Sequence, residues 1–65
     1  MNDVNQVPQF TNLGEVARQT SLGKSTVLAW EAQGKFPRAI RLSPTKRVWL
    51  QSDIANWMLE KCKHS

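Results

Sequence analysis

Residues 13–33 read LGEVARQTSLGKSTVLAWEAQ, and the six at the centre, SLGKST from Ser21 to Thr26, decide the fold. Gly23-Lys24-Ser25 is how the phosphate-binding loop of nucleotide hydrolases ends. That loop needs a second glycine five positions earlier, so that consecutive backbone N–H groups can curl around phosphates, and here the position holds Arg18. It also needs a preceding strand and several following βα units, for which a chain of 65 residues has no room. The stretch instead reads as a turn between two helices. Upstream, Leu13, Val16, Ala17 and Leu22 have helical spacing, with Thr11 or Asn12 placed to cap and Glu15 in the first turn. This predicts a short helix ending near Thr20. Ser21-Leu22-Gly23 then turns tightly, with Leu22 plugging the angle between the helices. A second helix follows from about Lys24 to Gln33, with Val27 and Trp30 inward and Gly34 suited to the left-handed residue beyond its end. Two short helices joined by a three-residue turn make a helix-turn-helix.

Downstream, Phe36-Pro37 stops any helix, because the residue before proline is biased to extended geometry. Ala39 to Leu42 alternate loosely, Ser43-Pro44-Thr45-Lys46 supplies turn chemistry, and Arg47 to Leu50 is rich in strand formers, so the segment predicts a β-hairpin. Ile54, Trp57, Met58 and Cys62 return to helical period, with Asp53 in the first turn. The first ten residues are polar, contain Pro8 and show no sustained period. They predict an extended arm over residues 1–10, docked at Phe10, ahead of a domain over 11–62. The predicted order is helix, helix, hairpin, helix: mainly α with a small β-hairpin.

A chain this short buries only about 60% of the surface it exposes when unfolded, so its core is small. Trp30, Trp49, Trp57, Phe10 and Phe36 are large units for such a core, and the tryptophans are expected there. Cys62 is the single cysteine, which excludes an intrachain disulfide and fits a reduced, cytoplasmic setting. No apolar run spans a bilayer, and the N-terminus lacks the basic start and apolar stretch of a signal peptide, so neither membrane insertion nor export is expected. Cys62 and His64 make too poor a ligand set for a metal, and no carboxylate pair, nucleophilic triad or pocket histidine is apparent; neither a cofactor nor enzymatic activity is expected.

The formal net charge is +4, unevenly spread. Residues 1–22 carry Asp3, Glu15 and Arg18; residues 50–65 balance Asp53 and Glu60 with Lys61 and Lys63. Residues 23–49 set Lys24, Lys35, Arg38, Arg41, Lys46 and Arg47 against Glu31 alone, a net of +5. A localised basic field concentrates polyanions, nucleic acid above all; the alternative is a basic surface that only confers solubility.

These stretches resemble known families. LGEVARQTSLGKSTVLAWE is similar to the opening helix-turn-helix of the MerR family, and RVWLQSDIANW to its wing-to-helix pattern of arginine, aromatic, three residues, acid, aliphatic. STVLAWEAQGKFPRAIRL resembles the AlpA family of phage-type regulators, small winged-helix proteins related to excisionases. There a Ser-Thr pair opens the recognition helix, and Gly-x-Phe-Pro followed by a basic strand leads into the wing. The resemblance covers roughly residues 10–60. It implies a winged helix-turn-helix and a sequence-specific double-stranded DNA-binding regulator of a prophage or other mobile element. The alternative it implies is an excisionase, a recombination directionality factor that bends DNA or docks on an integrase as a protein-interaction module. MerR regulators carry a dimerisation helix and an effector-binding part that the residues after the third helix cannot build, so no small-molecule effector is expected.

On a helix-turn-helix the start of the second helix enters the major groove. Lys24, Ser25, Thr26 and Leu28 lie there. Lys24 reaches a guanine edge or a phosphate; Ser25 and Thr26 donate to phosphates or bases, or else merely cap the helix; Leu28 meets a thymine methyl or the core. AlpA-like proteins often carry an aromatic and then an arginine at the positions of Leu28 and Ala29, so this helix is lightly armed. More affinity is then expected from the wing: Lys46 and Arg47 after the turn, with Arg38 and Arg41 along the preceding strand, set against the backbone or the minor groove. One recognition helix reads a short site, so several copies of the chain are expected side by side on the DNA.

Overall fold

In the computed structural model, which describes residues 8–63, the chain runs β1 (Phe10–Asn12), α1 (Leu13–Thr20), α2 (Lys24–Ala32), β2 (Ile40–Ser43), β3 (Lys46–Leu50) and α3 (Gln51–Lys63). This is the predicted winged helix-turn-helix, mainly helical, with one strand more than the hairpin. Of the arm expected over residues 1–10, the first seven lie outside the described residues. Phe10 opens β1, which pairs antiparallel with β3 and makes the sheet order β1-β3-β2. Three polar or mixed residues carry no strand pattern of their own; the pairing exists because Thr11 faces Trp49 across the ladder and Asn12 faces Val48.

Asn12 serves twice. It is the last residue of β1 and, in extended geometry, the N-cap of α1, its side-chain oxygen accepting the Glu15 N–H at 2.8 Å. Glu15 in the first turn complements the helix dipole and forms a two-bond ion pair with Arg18. The guanidinium holds the Glu15 carboxyl below its usual range. Its contribution is present at neutral pH, is lost as acid protonates Glu15, and is small because both groups face solvent. α1 stops at Ser21, a non-glycine residue in the left-handed region at φ 63°. Leu22 follows and packs on the core, turning the chain into α2.

α2 ends as its sequence predicts. Gly34 takes φ 77°, and the N–H groups of Gly34 and Lys35 return to the carbonyls of Glu31 and Trp30 at 3.1 and 2.8 Å, satisfying the last turn. The connector beyond is pinned by two indoles: Trp57 Nε1 donates to the Lys35 carbonyl at 3.0 Å and Trp49 Nε1 to that of Pro37 at 2.9 Å. Between them Phe36 is buried, edge-on to Trp49 and 4.8 Å in centroid distance from Trp57. Trp49 thus buries its ring fully while hydrogen-bonding its one polar atom, and the half-buried Trp57 hydrogen-bonds its own.

The core joins Val16, Val27, Phe36, Trp49 and Ile54, one residue from each helix, the connector and β3. Leu13, Leu22, Leu28, Trp30, Trp57 and Met58 pack around it, half-buried. A polar knot closes its rim: Gln19 and Gln51 exchange amide hydrogen bonds at 2.9 and 2.8 Å, and the buried Thr11 hydroxyl donates to Gln51 Oε1 at 2.7 Å. This ties β1, α1 and α3 together, and the Gln51 N–H extends the tie to the Gln9 carbonyl at 2.8 Å. No helix among the described residues is long and apolar enough to cross a membrane.

Candidate nucleic-acid interface

Of the three helices among the described residues, α2 alone starts without an acid in its first turn; α1 has Glu15 there and α3 has Asp53. Its N-cap is Gly23, which has no side chain to satisfy the first N–H groups. The positive end of the α2 dipole is therefore uncompensated and open to an external anion. Lys24 and Ser25 are exposed and Thr26 is half-buried, and their side chains make no hydrogen bond or ion pair among the described residues. Ser25 and Thr26 do not cap the helix, so both hydroxyls are left free to donate. The Lys24 stem passes beside α1: a methyl group placed on Gly14 would lie 3.9 Å from its Cε. Leu28 is half-buried and packs against the core. The outward stripe of α2 is Ser25, Ala29 and Ala32, all exposed and small, a face that can approach a groove floor closely.

The wing sorts its cations by strand geometry. Alternation puts Arg47 on the face of Trp49, toward the helices, and Lys46 on the opposite face with Val48 and Leu50. Sequence neighbours expected to act together thus point apart. Arg41 stands directly across from Arg47, a like-charge pair that repels unless anions lie near. Its guanidinium donates to the Pro44 carbonyl at 3.3 Å, bracing the turn, and remains exposed. Arg38 and Lys46 are exposed with no partner among the described residues.

Glu31 is the residue that sequence reading did not single out. From α2 it accepts the Ala39 N–H at 2.7 Å through one carboxylate oxygen and faces Arg47 at 3.4 Å through the other, its side chain only 18% exposed. One carboxylate thereby ties α2 both to the residue that leads into β2 and to β3. Being the sole acid in a segment of net +5 is the signal that could have found it. Arg47, with 34% of its side chain exposed, is held by this contact and is less available than Lys46 or Arg38.

Cys62 is exposed on α3, and His64 lies outside the described residues. Residues 5–62 match the family model described as Prophage CP4-57 regulatory protein (AlpA). No curated protein and no solved structure matches the chain.

Proposed function

The chain belongs to the AlpA family of phage regulatory proteins, and from that premise we propose that it binds duplex DNA sequence-specifically as a prophage transcriptional regulator. The observation that carries the reading is the open start of α2: uncompensated first-turn N–H groups beside one free cation and two free hydroxyls. In this reading α2 enters the major groove, where Ser25 and Thr26 meet base edges or phosphates and Lys24 meets a phosphate. The small outward stripe lets the helix sit deep. The wing lies over the adjacent backbone, with Arg38, Arg41 and Lys46 neutralising phosphates and Arg47 locking the wing to α2 through Glu31.

The test is anisotropy of a labelled mixed-sequence duplex titrated over a range of salt. Four cations on the proposed surface that no carboxylate holds, Lys24, Arg38, Arg41 and Lys46, predict a log–log salt slope of about −4. A slope near zero would sink the reading and favour an apolar protein contact, as in docking on an integrase. A second variant tests the role of Glu31. Glu31→Gln keeps an acceptor for the Ala39 N–H but removes the charge that holds Arg47, so Arg47 becomes free to neutralise a phosphate. The slope should steepen by about one while preference between sequences falls, since the wing loses its fixed angle. An unchanged slope would mean that the Glu31 contact does not govern Arg47.

A further inference from the structure

Among the described residues, three large apolar side chains are more than half exposed: Phe10, Leu42 and Leu59. Phe10 opens β1 and Leu59 lies on α3, whose charges balance. Leu42 is different, because it stands in the basic segment near the tip of the wing, 52% exposed, with exposed Arg41 before it and exposed Lys46 across the turn. Hairpin tips in water are ordinarily polar, since nothing there covers an apolar group.

Its backbone setting is equally particular. Arg41 faces Arg47 and Ser43 faces Lys46, so Leu42 is an extra residue with no partner across the ladder. Such a bulge re-aims the side chain it carries. The turn is braced from within, Arg41 donating to the Pro44 carbonyl at 3.3 Å and the Ser43 hydroxyl accepting the Thr45 N–H at 3.3 Å. The tip therefore presents one exposed apolar group between Arg41 and Lys46, with no acid in β2, the turn or β3. A solvent-facing leucine is stable but unrewarded there; against DNA its position has a use. The cations hold phosphates on either side, and the leucine then meets the edges of stacked bases.

We infer that Leu42 is a wedge that enters the minor groove and partly unstacks a flexible base step, kinking the duplex. The inference rests on the reading of the protein as a duplex-DNA binder and adds to it a second source of sequence preference. Pyrimidine–purine steps such as TA unstack most easily, whereas A-tracts resist. The wing would select its position by deformability, which suits a recognition helix whose outward face is mostly alanine.

The test uses the full chain and duplexes of about 20 base pairs. One carries 2-aminopurine, an adenine analogue that brightens when unstacked, at a central TA step in G·C-rich flanks; the other carries it within an A-tract. The wild-type protein should raise emission about twofold or more at the TA step and prefer that duplex about fivefold. Leu42→Ala should keep salt-sensitive binding, with its slope, and lose both the brightening and the preference; Leu42→Met, which keeps length and apolarity, should retain both. The residue is exposed, so circular dichroism should show all three proteins equally folded. Salt-sensitive wild-type binding without brightening, or equal brightening by Leu42→Ala, would overturn the wedge and leave the DNA reading standing. Absence of salt-sensitive wild-type binding to either duplex would overturn the DNA reading and the wedge with it.

Discussion

Trp49→Ala is expected to leave the domain mostly unfolded at room temperature. Trp49 is fully buried in the middle strand of the sheet, edge-on to Phe36, and its indole N–H holds the connector at Pro37. Truncating a buried tryptophan costs about 3–5 kcal/mol through lost transfer energy and the cavity left behind. The broken hydrogen bond adds about 0.5–1.5 kcal/mol. A core this small rarely supplies more than about 3–5 kcal/mol of net stability, so the loss equals or exceeds what is available. Urea or thermal unfolding followed by circular dichroism checks this. Trp49→Phe, which keeps much of the ring volume but not the donor, should stay folded with a lowered midpoint. A cooperative native transition in the alanine variant, at nearly the wild-type midpoint, would show that the core is organised elsewhere.

Lys24→Ala combined with Lys46→Ala is expected to have the largest effect on DNA binding. Both ammonium groups are exposed and neither has an internal partner among the described residues, so removing them leaves no buried charge and should not disturb folding. One belongs to α2 and the other to the wing, so the pair samples both halves of the proposed surface. Each lost phosphate contact should reduce the magnitude of the salt slope by about one, hence by about two together. Affinity at moderate salt should fall about ten- to a hundredfold, nearly uniformly across sequences, since phosphates carry no sequence information. Ser25→Ala should do the opposite, leaving the slope intact and weakening discrimination. Unchanged affinity and slope in the double variant would show that the binding face lies elsewhere on the molecule.

The helix-turn-helix, the hairpin and the last helix were legible in the sequence because their signals are local. Asn12 and Glu15 mark the start of α1, Gly34 the end of α2, Phe36-Pro37 the connector, and Ser43-Pro44-Thr45 the turn; each acts through backbone geometry within a few residues of itself. Lys24, Ser25 and Thr26 were legible as candidates for the same reason, their place at a helix start being set by the preceding turn. Strand β1 was not legible: its partner β3 lies far along the chain, and its three residues form a strand only because Trp49 and Val48 offer a ladder to pair with.

The fate of each wing cation was equally closed to sequence reading. Lys46 and Arg47 are adjacent in sequence and opposite in space, because strand period two assigns faces only after Trp49 has chosen the core. Glu31 is sixteen residues from Arg47, and nothing local says that α2 will bring its carboxylate there. By itself, then, the sequence determined the order of the three helices and the hairpin, the basic middle third and the place of Lys24, Ser25 and Thr26 at a helix start, all consequences of short-range backbone preference and composition. The tertiary structure alone decided the third strand, the Thr11–Gln51–Gln19 knot and which arginine is held, because burial and long-range pairing fix which face each side chain occupies.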